Sequence, residues 1–238
     1  MWEYLSLFLS VSIMLFILIF MIHIKNLMNY EETLTMMPLK RYLLSEEYCN
    51  IKSGDILFMR NSITSYQELI IPFIYKHVAI IVEINGKLYI AEASGSEFIA
   101  KEKNKLIKNK KCTYIYPLKN ELKSIIGPVF LSKLHKPLTD RQNDKLQDTI
   151  FCHLHEPYPS LIELYVVSIL QIPIKTNMYC FKLIYKCLVN IGLIQQKKMS
   201  ALELSKFVTS VYKYKLNDNY YEHPRQLIYD LNTNDELY

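Results

Sequence analysis

The sequence predicts an α+β fold with a small antiparallel sheet packed on helices. Two observations carry that prediction. Short β-rich runs joined by turn residues occupy the stretch from Ile56 to Leu118, and from Thr139 onward apolar residues recur at helical spacing. Strands grouped first and helices later argue for segregated layers rather than alternating ones. A third observation adds an element outside the fold: an uncharged apolar run near the start predicts a transmembrane helix.

Composition narrows the class before any element is placed. The chain has 238 residues, 50% of them hydrophobic and 21% charged, with only 5 Gly and 9 Pro. That excludes a disordered or collagen-like chain, which lacks the apolar content to bury a core or needs periodic glycine. Five cysteines form an odd set, so a closed disulfide framework is not expected, and a free thiol fits a reducing compartment.

Tyr4–Ile22 reads YLSLFLSVSIMLFILIFMI, nineteen residues without a charge. At about 1.5 Å per helical residue it is long enough to cross a hydrocarbon core of about 30 Å. Trp2 and Tyr4 suit the interface at one end. A cleaved signal peptide fits less well, because Glu3 stands where basic residues belong and no small-x-small cleavage site follows. A buried core helix is the plain alternative, but the run is long for one. All 28 Lys and Arg lie after the segment. The positive-inside rule therefore turns the C-terminal part to the cytosol, or to the interior of a virion. The expected organisation is an anchor over 1–24, a juxtamembrane linker over 25–50 with a short helix around Leu39–Tyr48, and a globular domain over 51–238.

Within the domain, Ser53-Gly54-Asp55 reads as a turn and Ile56–Met59 as a short buried strand. Ser65–Tyr75 has helical character up to Pro72. His77–Ile84 (HVAIIVEI) and Lys87–Ala93 (KLYIAEA) flank Asn85-Gly86, which predicts a two-residue hairpin because both turn positions need positive φ. Cys112–Leu118 reads as another strand. Helices are expected over 139–152, 160–171, 178–192 and 200–212, the last opened by the capping box Ser200-Ala-Leu-Glu203.

The hairpin register places chemistry. Pairing Ile84 with Lys87 sets His77 opposite Ser94, with Glu92 on the same face and diagonal to His77. Diagonal neighbours lie about 7–8 Å apart at the backbone, within reach of long side chains. A carboxylate on an imidazole fixes the tautomer and supports the imidazolium. Cys180 stands where an apolar-periodic helix begins, a position that favours an anionic thiolate through unpaired N–H groups and the helix dipole. Each residue also has an ordinary structural reading: a satisfied strand histidine, an edge charge, a core thiol.

The residues Gly54-Asp55-Ile-Leu-Phe, Ser62–Ser65, Lys76-His77-Val-Ala-Ile-Ile-Val-Glu, Tyr89-Ile-Ala-Glu92-Ala and Tyr179-Cys180, in that order, resemble the circularly permuted papain-like hydrolases of the NlpC superfamily. The resemblance is to the YiiX/YaeF-like amidase branch with its poxvirus relatives. It spans roughly 51–195 and implies a permuted papain-like fold with Cys180 as nucleophile, His77 as base and Glu92 as its orienter. Ser62 and Tyr179 would line the substrate cleft. It implies a thioester acyl-enzyme, an amide- or ester-bearing substrate of peptide or lipid type, and no cofactor. The family usually has Ser-Glu after the Tyr-Cys pair, where this chain has Phe181-Lys182. Lys182 would place a positive charge near the thiol. The alternative is a catalytically inactive relative serving as a structural or interaction protein in a viral or cellular membrane. A composition rich in Ile, Lys, Asn and Tyr fits a large DNA virus.

The remaining signals read as structural. Cys152-His153-Leu-His155-Glu156 invites a metal, but His153 and His155 alternate and no second cluster has matching spacing, so no metal is expected. Cys187 reads as core, and His135 and His223 as surface residues. Lys101–Lys111 carries six Lys and one Glu and reads as a solvated loop able to touch anionic lipid. Nucleic-acid binding is not expected, since no recognised module is present. The sequence leaves the oligomeric state open.

Overall fold

The computed structural model describes residues 8, 10–12, 14, 41–43, 50–59, 77–95, 99–102, 105–108, 112–118, 129–160, 163–164, 170 and 177–228. Ser62, the helical stretch Ser65–Tyr75, and most of Tyr4–Ile22 and of 160–171 lie outside them. The chain divides into two compact units, Met1–Pro38 with Ile63–Ile74, and Leu39–Ser62 with Tyr75–Tyr238. In the first, the described residues are helical, with Phe8 70%, Val11 58% and Met14 71% exposed. Among the described residues no helix is long and apolar enough to cross a membrane.

The second unit is α+β. Its strands are β1 (Arg41–Leu43), β2 (Ile56–Met59), β3 (His77–Ile84), β4 (Lys87–Ala93), β5 (Ile99–Glu102), β6 (Lys105–Lys108), β7 (Thr113–Pro117), β8 (Val129–Ser132), β9 (Lys215–Leu216), β10 (Asn219–Tyr220) and β11 (Arg225–Ile228). Its helices are α1 (Asp140–Cys152), α2 (Cys180–Asn190) and α3 (Ala201–Thr209). The principal sheet has seven strands in the order β1-β11-β8-β2-β3-β4-β7. Every pairing in it is antiparallel except β1 with β11.

Three expectations are corrected. The sheet is larger than a small one, because β8 and β11 extend it beyond β2, and β9–β11 follow the helices instead of preceding them. Arg41–Leu43, expected in a helix within the linker, is an edge strand, so the sheet recruits chain from before Ile51. The basic stretch is also no plain loop: β5 and β6 pair as an antiparallel hairpin.

The central strands show why this arrangement holds. Val78–Val82 are buried without alternation, the pattern of a strand covered on both faces. Leu57, Ala79, Ile81, Ile90 and Leu131 pack together on one of them. The β3–β4 turn has φ of 51° at Asn85 and 72° at Gly86, and its register runs from Ile84↔Lys87 to Ile80↔Ala91. α1 and α3 each open on a capping box, from Thr139 to Gln142 and from Ser200 to Glu203. α2 is buried along most of its length and packs against α1, α3, β3 and β4.

The turn before β2 clasps distant parts of this unit. The Asp55 carboxylate accepts from the backbone N–H of Lys52 at 2.9 Å and of Leu134 at 2.8 Å. The Gly54 N–H donates to Ile81 O at 2.8 Å, and the Tyr221 hydroxyl donates to Gly54 O at 2.7 Å. Gly54 has φ of +93°, and a Cβ there would sit 3.0 Å from the Leu138 side chain. Gly54→Ala is therefore expected to lower stability by about 1–3 kcal/mol through backbone strain and crowding. A urea midpoint unchanged from wild type would refute this.

Candidate active site

The β3–β4 ribbon delivers an acid–base pair. His77 opens β3, and Glu92 stands near the end of β4. His77 Nε2 lies 2.8 Å from Glu92 Oε2, with side-chain exposures of 18% and 8%. That is the diagonal contact the register predicts. With Nε2 engaged, Nδ1 is the ring nitrogen left for another partner.

A ladder of backbone contacts brings the later chain alongside. Ser94 N–H donates to Cys112 O at 3.0 Å, just beyond the paired Ala93 and Thr113. Cys112 forms an antiparallel bridge with Pro157, flanked by hydrogen bonds between Thr113 and Glu156 O and between His155 and Thr113 O. Met178 N–H donates to Pro157 O at 3.1 Å. Two residues later Cys180 begins α2, 2% exposed.

The start of α2 is suited to an anion. Its N-cap is Tyr179, which makes no side-chain capping bond, and its first turn holds no acidic residue. The leading N–H groups and the positive end of the dipole thus face the Cys180 position without a competing carboxylate. Lys182, expected beside the thiol as a charge, donates from Nζ to Asn177 O at 2.9 Å. Burial and then the neighbouring Lys186 lower its pKa.

Electrostatics tie the three groups together. Burial works to lower the His77 pKa, but the charge of Glu92 and hydrogen bonding with Cys180 and Glu92 outweigh it. The net result is a pKa well above the ordinary imidazole value. The imidazolium form is therefore favoured between Glu92 and Cys180.

Sequence reasoning missed Tyr158. The charge of Cys180 acts on its hydroxyl. Burial first, then Cys180, raises its pKa well above the ordinary phenol value, so it stays a protonated donor. The available signal was Pro157-Tyr158-Pro159, a segment with restricted φ on both sides of the tyrosine. Gly95 makes room for the ring, since a Cβ there would come within 2.8 Å of it.

Of the other residues singled out, Tyr179 is 4% exposed at the head of α2, and burial followed by the charge of Cys180 raises its pKa. Ser62 lies outside the described residues. Cys187 is fully buried, and burial pushes its thiol up to about 12. His135 and His223 are exposed. His153 has both ring nitrogens engaged, Nδ1 with Glu156 at 2.7 Å and Nε2 with Lys186 at 3.1 Å. Among the described residues no group of three or more His, Cys, Asp or Glu can hold a metal ion.

Gly95→Ala is expected to cost about 1–3 kcal/mol of stability through overpacking against Tyr158. In a Tyr158→Ala background the same substitution should cost less than about 0.5 kcal/mol, because the crowded ring is gone. Equal costs in the two backgrounds, measured by urea unfolding, would show that the ring does not sit there.

The profile of the permuted papain-like amidase enzymes, YaeF/YiiX, C92 family, matches residues 50–212. No curated protein matches the sequence. Among solved structures, one described as the crystal structure of metalloprotein yiiX from Escherichia coli O157:H7 is similar. It has 17% sequence identity and a TM-score of 0.40, covering 75% of this chain and 97% of its own. The profile match takes in β2, the β3–β4 ribbon and the start of α2 together, and the chain belongs to the YaeF/YiiX family of permuted papain-like amidases.

Proposed function

We propose that this protein is a cysteine hydrolase of amides or esters, with Cys180 as nucleophile, His77 as acid–base and Glu92 as orienter of His77. The observation that carries the reading is the 2.8 Å carboxylate–imidazole contact beside the uncapped head of α2. In the proposed reaction the Cys180 thiolate attacks the substrate carbonyl, and the carbonyl oxygen becomes an oxyanion. The Cys180 backbone N–H and the Tyr158 hydroxyl are the donors available to it. His77 gives its proton to the leaving amine or alcohol as the tetrahedral species collapses to a thioester. His77 then takes a proton from water, which attacks the thioester and regenerates the thiol. Membrane attachment through Tyr4–Ile22 completes the proposal and would hold the site near a bilayer.

A second reading, an inactive relative with a structural role, is favoured by Phe181 and Lys182 in place of the family's usual Ser-Glu. Phe181 is buried, and the Lys182 amino group is engaged by Asn177. Neither departure displaces the His77–Glu92 contact.

Thiol labelling separates the two. With limiting iodoacetamide, Cys180 should react at least about tenfold faster than the exposed Cys152, although burial alone would make it slower. His77→Ala should erase that advantage and, on a library of lipid and peptide amides, lower turnover by about 10²-fold or more. Cys180→Ala should abolish turnover. The pair that includes protonated His77 exists below the raised pKa and is lost as pH rises through it. Glu92→Gln, by removing the charge that raises His77, should move the alkaline limb of the rate profile to lower pH. Labelling of Cys180 no faster than Cys152, and indifferent to His77→Ala, would sink the enzyme reading. For the anchor, alkaline carbonate should extract a variant lacking residues 1–24 from membranes but leave the full chain behind; extraction of both would overturn it.

A further inference from the structure

Where the chain leaves α2, it folds around a cavity of about 660 Å³ that Tyr185 of α2 also lines. Four lysines from three segments converge on it: Lys197 and Lys198 from the loop after α2, Lys206 from α3 and Lys215 from β9. All four are exposed. The acidic side chain in the lining is Glu203. Its carboxylate is already committed to the α3 capping box, accepting from Ser200 N–H at 2.8 Å. Its pKa is lowered by that backbone bond first, so it stays anionic there. The lining thus carries four cationic side chains against one committed carboxylate.

Its floor is apolar and aromatic. Phe207 lies between Tyr185, at 6.2 Å edge-on, and Tyr214, at 5.2 Å. Tyr185 is fixed by two hydrogen bonds with the Lys197 backbone, at 2.9 and 2.6 Å, so the lysine-bearing loop is pinned to the aromatic floor. Tyr214 is 46% exposed at the mouth. A soluble polyanion would use the lysines and leave this apolar surface wet. A molecule with a phosphate beside hydrocarbon satisfies both.

The geometry points to this groove as a binding site for an anionic phospholipid headgroup, docking the second unit directly on a charged membrane surface. The site is independent of the proposed chemistry at Cys180. Lysines near an anionic leaflet each contribute to attraction that salt screens, and aromatic rings at the rim suit the headgroup level.

The test uses the full chain in neutral detergent, with phosphatidylserine or phosphatidylcholine added and bound lipid counted by native mass spectrometry. Phosphatidylserine is expected to bind at least about tenfold more tightly than phosphatidylcholine, with the preference falling as salt rises. The triple substitution Lys197→Glu, Lys206→Glu and Lys215→Glu should remove that preference. Reversing Lys101, Lys105 and Lys108 instead, an equal change in net charge, should leave it in place. Tyr214→Ala should weaken phosphatidylserine binding several-fold, which keeps the proposal testable if the triple variant does not fold. The proposal is overturned if both lipids bind alike, if the two charge reversals act equally, or if inorganic phosphate binds as tightly as the lipid.

Discussion

The place of Cys180 at the candidate site hangs on the backbone of residues 155–157. Cys180 is more than a hundred residues from His77 in the chain, and neither helix propensity nor strand pattern tells the start of α2 where to go. The segment settles it by bonding on both sides, to Cys112 and Thr113 through one edge and to Met178 through Pro157 O. Closing so long a loop costs entropy that grows only slowly with length. A few backbone bonds, backed by the packing of α2 on β3 and β4, are therefore enough to fix the partner.

The same placement explains why the charged groups are tolerated. A histidine and a glutamate taken mostly out of water are poor sources of stability, since desolvation opposes the attraction between them. Here burial and pairing act on His77 in opposite directions, and pairing prevails. The proposed chemistry is what would call for such a pair, with its second ring nitrogen turned to a thiol at a helix head.

Much of this was legible in the sequence, and the legible parts share a cause. A two-residue turn leaves one register, and period-two geometry then assigns His77 and Glu92 to one face, as the ribbon shows. The start of α3 was legible from capping chemistry at Ser200, and the start of α1 from the helical spacing that sets in at Thr139. What escaped was non-local. β1 has three residues, and its partner β11 lies near the other end of the chain, so nothing nearby marks Arg41–Leu43 as a strand. β8 is four buried residues without alternation, a pattern that short helical and strand segments share. Tyr158 escaped because its neighbours Gly95 and Cys180 come from two other parts of the fold.

The residues that made the family recognisable do not all serve the same end. Gly54-Asp55 is as much a part of the resemblance as Tyr179-Cys180, yet its contacts are architectural. Asp55 joins the entry to β2 with the exit from β8 through Lys52 and Leu134, and Ser53 ties the same turn to α1 through Asn143. Burial drives the Asp55 carboxyl up to about 6, against two backbone hydrogen bonds that pull it down. The folded protein therefore holds that proton more firmly than the unfolded chain, and this group's contribution to stability declines as pH rises from 3.8 through about 6. A carboxylate kept at such a site in spite of its desolvation serves two backbone N–H groups, the part-buried one of Lys52 and the buried one of Leu134, on segments more than eighty residues apart. The turn fixes β2, β2 fixes β3 through Met59↔His77, and the imidazole inherits its position from a residue that never meets the thiol.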